Sequence, residues 1–283
     1  SSASTWDLWY LCHAYSKLKK YNELFPCLDQ MEKNITEGDR RMYWFDMSEY
    51  PHILRGEAYR DLGEYGKAIE EGLKAQKIAK KKIYPVNRVH ALGGLALAYA
   101  LDGDRSHAEQ YLKSLKGVYV GYPYTIMRPE KLIAIAKVYM ALGQFDKALS
   151  TISNRSLEHE FFKFTSDFSD TVFTAGTSRW TTWLELPQNF IHCKCLYETG
   201  QVEKAKRGYD NLLKHPATEF NGEIFWMILF DRGRIAEKEG KLDEAVAFYE
   251  KAVGVIEAQR STINTEASKI GYVGNKQAVY HHL

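Results

Sequence analysis

The sequence predicts an all-α protein, a right-handed solenoid of about six helix pairs followed by a C-terminal capping helix. The prediction depends on a 40-residue repeat and on a glycine at the centre of each copy. Three sets of residues recur at this interval: Tyr59, Tyr99 and Tyr139; Gly63, Gly103 and Gly143; Ala68, Ala108 and Ala148. The pattern resumes with Gly200 and Gly240, Ala205 and Ala245, and Tyr209 and Tyr249. Such a period is typical of stacked repeats.

Each repeat is predicted to contain two antiparallel helices that meet at the glycine. In the clearest copy, one apolar periodic segment covers residues 52–62 and a second covers residues 65–82. Gly63 lies between them, and glycine adopts the left-handed conformation that ends many helices without a steric penalty. A degenerate first copy has Lys19 in the glycine's place. We therefore expect Lys19 to occupy a turn as well.

Prolines and small residues give further detail. Pro51, Pro129 and Pro187 precede apolar periodic segments and are predicted to mark helix starts, where a missing amide proton costs nothing. Small residues occupy equivalent positions on the first helices (Gly56, Ala96, Ala136, Cys193, Gly233) and on the second (Ala68, Ala108, Ala148, Ala205, Ala245). We expect the paired helices to approach closely at these positions.

One segment breaks the period, because Gly143 and Gly200 are 57 residues apart. The excess lies within residues 154–186, which are rich in Ser, Thr and aromatic side chains. Either an extended helix and loop place these rings in the solenoid's own core, or the insertion is a flap that borders the groove. The predicted organisation is a repeat domain over residues 1–260 and a capping or linker helix over residues 261–283.

Composition excludes several classes of protein. With 45% hydrophobic residues and 38 basic against 36 acidic side chains, the chain is not of the disordered class. Its net charge of +2 is not that of a dedicated nucleic-acid binder. No apolar run approaches the roughly 18 residues that a membrane helix needs. We expect a cytoplasmic protein that does not contact a membrane.

The four cysteines predict no disulfide framework. Cys12, Cys27, Cys193 and Cys195 are few and scattered, which favours buried free thiols in a reducing compartment. Cys193 and Cys195 would point to nearly opposite sides of a helix, so no metal site is predicted. The chain also lacks the motifs G-x-x-x-x-G-K-S/T, H-E-x-x-H, G-x-S-x-G and G-x-G-x-x-G. We therefore expect no catalysis and no cofactor.

The repeat resembles the tetratricopeptide repeat family, whose signature is W-x2-L-G-x2-Y followed by Gly, an aromatic, Ala, an aromatic and Ala. The best-matching segment, residues 54–75, contains Gly56, Ala58, Tyr59, Gly63, Tyr65, Ala68 and Ala75. The resemblance covers residues 6–260 and departs from the family in its period, which is commonly about 34 residues. It implies that the first helix of each pair lines a concave groove, which binds a protein or peptide segment.

The position six residues before each turn is predicted to face this groove. In order, it is occupied by His13, Glu57, Leu97, Lys137, Lys194 and Arg234. The last three would form a basic stripe that favours acidic side chains or a C-terminal carboxylate, although helix surfaces commonly carry Lys and Arg. Tyr197 and Phe230 could add apolar anchoring. Toward the N-terminal end the predicted surface is more mixed, with Trp9, Tyr50, Glu57 and Arg60, although the two aromatic rings are equally expected to pack against the adjacent helix. Reversing the three basic charges is predicted to abolish binding without changing stability.

The C-terminal tail carries a second, shorter resemblance. Glu257 and Arg260 form an E-x-x-R, and Val279 and Tyr280 follow later. This is similar to the link between tandem repeats and the caspase-like CHAT domain of bacterial multidomain proteins. It implies an alternative function, in which the solenoid is a regulatory or sensor region acting on a covalently linked downstream domain. The same residues are also compatible with a helix that caps the solenoid.

Lysine clusters raise a third, less favoured function. Lys74, Lys77 and Lys80 to Lys82 form one cluster, and Lys17, Lys19 and Lys20 form another. Such clusters could bind a polyanion such as RNA or DNA. Both fall at predicted helix C-termini, where lysines interact favourably with the helix dipole. A protein or peptide partner therefore remains the favoured prediction.

Overall fold

A computed structural model of the chain describes residues 3–38, 41–42, 45–81, 84–122, 128–153, 179–274 and 276–282. These residues form an all-α solenoid of stacked helix pairs with one short β-hairpin. In chain order the elements are α1 (Thr5–Lys17), α2 (Tyr21–Thr36), β1 (Arg41–Met42), β2 (Phe45–Asp46), α3 (Tyr50–Asp61), α4 (Tyr65–Ala79), α5 (Pro85–Asp102), α6 (Arg105–Gly117), α7 (Arg128–Ala141), α8 (Phe145–Ser153), α9 (Arg179–Glu198), α10 (Val202–Leu213), α11 (Ala217–Phe220), α12 (Gly222–Lys238), α13 (Leu242–Arg260), α14 (Glu266–Gly274) and α15 (Gln277–His281).

Six antiparallel pairs make up the array among these residues. They are α1 with α2, α3 with α4, α5 with α6, α7 with α8, α9 with α10, and α12 with α13, called here the first to sixth pairs. The two strands pair antiparallel, with Arg41 opposite Asp46, between the first and second pairs. The predicted fold class is confirmed.

A residue in the left-handed conformation ends the first helix of every pair. The φ angles are 56° at Lys19, 73° at Gly63, 88° at Gly103, 71° at Gly143, 83° at Gly200 and 75° at Gly240. The prediction for all six turns is confirmed, including the turn at Lys19. A side chain in this conformation costs about 1–2 kcal/mol, so Lys19 is strained where the other five turns are not.

Small residues lie where the paired helices meet, as predicted. The alanines of the second helices, Ala68, Ala108, Ala148, Ala205 and Ala245, are all at most 2% exposed. In the sixth pair, a Cβ atom added to Gly233 would lie 2.4 Å from Cε1 of Tyr249. The close approach of α12 and α13 therefore requires a glycine at residue 233.

Substituting Gly233 tests this packing. Gly233→Ala is expected to lower the free energy of unfolding by about 1–3 kcal/mol, because the added methyl group overlaps the Tyr249 ring. Gly254→Ala in α13 is the matched control, since nothing lies within 4 Å of its added Cβ. That variant should instead be stabilised by about 0.5–1 kcal/mol. Denaturant unfolding followed by circular dichroism measures both, and equal effects would contradict the packing argument.

The prolines agree with the prediction at two of three positions. Pro51 and Pro129 lie in the first turns of α3 and α7. The prediction for Pro187 is wrong, because this residue lies inside α9. The helix begins upstream at Arg179 and continues through the proline, which removes only one backbone hydrogen bond from a long helix. Residues 179–186 of the insertion are thus helical, and the rest of it, residues 154–178, lies outside the described residues.

The hydrophobic core joins the two ends of the array. One large cluster extends through the third to sixth pairs. A second cluster contains Leu24 and Leu28 of the first pair, Leu54 of the second, Leu229 of the sixth and Tyr272 of α14. The first and sixth pairs therefore share buried apolar surface, and the solenoid closes on itself.

The residues after α13 connect these ends. The Thr262 hydroxyl donates to the carbonyl oxygen of Lys19 at 2.7 Å, and the Ser268 hydroxyl donates to Glu64 Oε1 at 2.8 Å. The ring of Tyr272, which is 1% exposed, lies edge-on to Tyr21 with 6.4 Å between centroids. The region for which one capping helix was predicted thus contains two short helices, α14 and α15, that contact both ends of the solenoid.

The prediction of four free thiols is wrong for the first pair. Cys12 in α1 and Cys27 in α2 form a disulfide, with their Cα atoms 6.0 Å apart, because the antiparallel helices place them face to face. Cys193 and Cys195 are free and buried, as predicted, and burial raises the pKa of each thiol to about 12. Across the described residues, none of the helices has the length and apolar character needed to span a bilayer.

Candidate functional site

A pocket lies where the first helices of the first four pairs converge. Its volume is ≈ 190 Å³, and we call it the inner pocket. His13, Glu57, Leu97 and Lys137 all line it, and each is the residue six positions before its turn. The structure thus brings four of the six predicted inward positions to one site. Arg60, one helical turn beyond Glu57, lines the same pocket.

Three cations surround the carboxylate of Glu57. Burial alone would raise the pKa of Glu57, but Lys17, Arg60, Lys137 and, to a smaller extent, His13 together lower it. The Arg60 guanidinium also donates to the carbonyl oxygen of Gly94 at 3.3 Å. Within the described ranges, the side chains of Glu57 and Lys137 form no hydrogen bond and no ion pair within 4.0 Å. Their charges act on each other across the pocket without direct contact.

Positive charge dominates the electrostatics of the inner pocket. Burial lowers the pKa of Lys17, Glu57 partly opposes this effect, and Lys137 adds to it. Burial also lowers the pKa of His13 to about 4, so this imidazole is neutral at pH 7. A lysine whose pKa is lowered by burial and by a second ammonium is stabilised by an added anion. The pocket can therefore accommodate a carboxylate.

The rim of the inner pocket contains a histidine and glutamate pair. His90 Nε2 lies 2.8 Å from Glu130 Oε2. Burial alone would lower the pKa of His90, but the hydrogen bond and charge of Glu130 outweigh it, and the pKa of His90 is raised. This pair leaves little net charge at the rim when His90 is protonated. The imidazole of His90 also lies edge-on to the Tyr50 ring, 6.4 Å away.

Sequence analysis missed several pocket residues, although a signal for them exists. His90, Glu130 and Pro187 line the pocket, and each lies seven residues before a predicted inward position, as does Tyr50, which was predicted on this surface. Residues i and i+7 share a helix face, so extending the inward register by two turns would have found His90, Glu130 and Pro187. Lys17 lies four residues after His13, also on one face.

Lys194 and Arg234 lie in a second site, the Tyr197 cluster, defined by Lys194, Tyr197, Phe230, Arg234 and Lys238. Three cations surround the Tyr197 ring, with Lys194 Nζ, Arg234 Cζ and Lys238 Nζ at 5.7, 4.9 and 5.1 Å from its centroid. Arg234 Cζ also lies 5.7 Å from the centroid of Phe230. Tyr197 and Phe230 therefore lie close to Lys194 and Arg234, as predicted.

Acidic partners accompany the two cations of this cluster. Lys194 Nζ donates to Asp231 Oδ1 at 2.9 Å and lies 2.9 Å from Glu198 Oε1. Arg234 is 3.5 Å from Glu198 and 3.6 Å from Asp231. Burial would lower the pKa of Lys194, but Asp231 and Glu198 together raise it. The continuous basic stripe expected from Lys137 to Arg234 is thus divided, with Lys137 in the inner pocket and the other two offset by carboxylates.

The chain's own C-terminal residues contact the Tyr197 cluster. The His282 imidazole lies 5.5 Å from the Phe230 ring and 5.1 Å from the Tyr249 ring, measured between centroids. Its Nδ1 is 3.1 Å from Glu237 Oε2. Phe230 is therefore partly covered by the protein itself.

The tail residues of the E-x-x-R motif come together. Arg260 donates to Glu257 Oε2 at 3.1 Å, and the Tyr280 hydroxyl donates to Glu257 Oε1. Glu257 thus joins the end of α13 to α15. As for metals, no group of three or more His, Cys, Asp or Glu side chains is placed to hold an ion in the part of the chain that the structure describes.

One segment of the chain matches the sequence model of a known family. Residues 228–259, which cover most of the sixth pair, match the sequence model of the tetratricopeptide repeat. The match lies in the sixth pair rather than in residues 54–75, where the signature residues are densest. No curated protein matches the chain. A tetratricopeptide-like helical array indicates a protein-interaction scaffold and is typical of proteins without catalytic activity.

Proposed function

We propose that this scaffold binds a protein or peptide segment along its concave groove, and that the inner pocket receives an acidic side chain or a C-terminal carboxylate from that segment. One observation carries the proposal. Residues at the same position of four successive pairs line a single pocket, and three cations there surround one carboxylate. A ligand carboxylate would be attracted to this surplus of positive charge.

The size of the inner pocket favours a peptide side chain over a cofactor. Its volume of ≈ 190 Å³ is below the roughly 300–1,000 Å³ typical of pockets for small organic ligands. One or two peptide side chains would fill it. The remainder of an extended partner would then lie along the first helices of the other pairs, as in other repeat proteins.

The Tyr197 cluster is a second contact region in this proposal through Phe230 and Lys238, because Tyr197 itself is only 4% exposed. Lys194 Nζ and Arg234 Cζ lie 5.7 and 4.9 Å from the centre of the Tyr197 ring, and Lys238, which is exposed, adds positive charge on the solvent side. Asp231 and Glu198 already neutralise much of the positive charge of Lys194 and Arg234. We therefore assign Lys194 and Arg234 the role of positioning Tyr197 and Phe230. The acidic group of the ligand is assigned to Lys137, Lys17 and Arg60 instead.

Two substitutions with opposite expected effects test the pocket. Lys137→Gln should weaken binding of an acidic peptide about tenfold, because a cation facing the ligand is lost, whereas Glu57→Gln should strengthen it about tenfold, because a competing carboxylate is removed. The probe is a labelled octapeptide of Gly and Ser that ends in Asp-Glu with a free C-terminus, measured by fluorescence anisotropy.

Matched controls accompany this titration. Lys113→Gln removes an exposed lysine on α6, outside the pocket, and should leave the affinity unchanged. A probe with Asn-Gln and an amidated C-terminus should not bind. Equal changes in affinity for Glu57→Gln and Lys137→Gln, or binding of the neutral probe, would contradict a carboxylate site in the inner pocket.

A second candidate function is favoured by the contacts of the tail. Glu257 contacts both Arg260 and Tyr280, and so joins α13 to α15. These three residues carry the resemblance to the linker before a CHAT domain. The solenoid would then regulate a covalently linked domain. Such a role needs no affinity for a free acidic peptide, so failure of every probe in the titration would favour it.

A further inference from the structure

The closure of the solenoid depends on one lysine in an unusual place. Lys19 Nζ donates to Asp61 of the second pair and, at 3.1 Å, to Glu223 Oε2 at the start of the sixth pair. The Lys19 side chain is 9% exposed. It therefore connects the N-terminal and C-terminal ends of the array through a largely buried charge.

The backbone conformation of Lys19 indicates that this connection is important for the fold. Lys19 has φ 56°, and the five equivalent turns all have glycine, which takes that conformation without strain. Glycine at residue 19 would suit the turn better but would provide no ammonium for Asp61 and Glu223. The lysine adds ion pairs with Asp61 in the second helix pair and with Glu223 in the sixth.

Residues 262–274 lie directly against this connection. Tyr272 packs on Tyr21, two residues after Lys19, and Thr262 bonds to the Lys19 carbonyl. A Cβ atom added to Gly271 would lie 2.3 Å from the carbonyl oxygen of Leu62. The α14 backbone therefore sits against the end of α3, at a distance that only glycine permits.

We infer that residues 262–274 and 276–282 form an intramolecular clasp, which docks on a composite surface of the first, second and sixth pairs and holds the two ends of the solenoid together. We call that surface the seam, defined by Lys19, Tyr21, Asp61, Leu62 and Glu223. The occupant of the seam is the chain's own C-terminal segment. This inference is independent of the proposed peptide site, since it concerns how the array is closed.

A glycine pair in α14 provides the first test. Gly271→Gln should displace the clasp, because its Cβ meets a backbone carbonyl that cannot move aside, whereas Gly274→Gln meets nothing within 4 Å. Hydrogen–deuterium exchange should then rise at least tenfold in α14, and also around Lys19 to Leu24 and in the first turn of α12. The radius of gyration from small-angle X-ray scattering should increase for Gly271→Gln only.

A different pattern of exchange would overturn the clasp. Faster exchange confined to α14 and α15, with Lys19 to Leu24 and the first turn of α12 still protected, would show that the segment only caps the sixth pair. Identical behaviour of Gly271→Gln and Gly274→Gln would do the same.

Lys19→Gly is a second variant that keeps the turn while removing the ion pairs. It is expected to speed exchange in the first turn of α12 and to increase the radius of gyration, although the turn itself becomes less strained. Gly103→Ala, which strains the equivalent turn of the third pair and whose added Cβ meets nothing within 4 Å, is the control for local effects. Unchanged or slower exchange in α12 of Lys19→Gly would contradict a role for Lys19 in closure.

Discussion

Lys194→Glu is expected to lower the free energy of unfolding by about 3–5 kcal/mol, because it sets a carboxylate against Asp231, whose side chain is 1% exposed. Asp231 accepts hydrogen bonds from Lys194 Nζ at 2.9 Å and from the Tyr209 hydroxyl at 2.7 Å. Loss of the lysine would leave a buried charge without its main cation. Chemical denaturation of the purified variant measures the effect.

Lys137→Glu is the matched control, the same charge reversal at an exposed position. It should change the free energy of unfolding by about 1 kcal/mol or less, because its ammonium forms no direct ion pair among the described residues. Equal stability of the two variants would show that the Asp231 network contributes little. The expectation that reversal of all three basic residues leaves stability unchanged is thus kept for Lys137 and revised for Lys194.

Reduction of the Cys12–Cys27 disulfide is expected to destabilise the first pair by about 3 kcal/mol. The bond closes a loop with a sequence separation of 15 residues, and a cross-link of this length restricts the unfolded chain by about that amount. Differential scanning calorimetry with and without dithiothreitol should show a lower melting temperature in the reduced protein.

The variant Cys12→Ala with Cys27→Ala separates this effect from other actions of the reductant. Its melting temperature should not respond to dithiothreitol, and it should match that of the reduced parent. Thiol titration of the denatured, unreduced parent should find two free thiols, those of Cys193 and Cys195. Four free thiols would contradict the disulfide.

The fold and the inward face could be predicted because both depend on local chemistry. A turn residue with positive φ favours glycine wherever it occurs, so Gly63 and its equivalents identify the turns from sequence alone. Counting back along a helix of known period then places Glu57 and Lys137 on one face. The same reasoning located the turn at Lys19.

The missed features depend on how neighbouring helices are rotated against each other. Cys12 and Cys27 are on two different helices, and Lys194 and Asp231 are on two different pairs. Whether such residues meet depends on the rotation between elements, which no local pattern records. The contact of Tyr272 with Tyr21 depends on that rotation accumulated over six pairs. The repeat pattern carries no information on how the two ends of the array are placed, so it cannot predict this contact.

The shared core of the first and sixth pairs changes how this array should unfold. In an open chain of repeats each unit contacts only its neighbours, so the terminal units fray first and melting is gradual. Here Leu24 and Leu28 of the first pair and Leu229 of the sixth lie in one cluster with Tyr272 of α14, so neither pair can be lost alone without exposing the other's apolar surface. The ends are therefore as cooperative as the middle, and the chain should melt more like a single globular domain than like a string of independent modules.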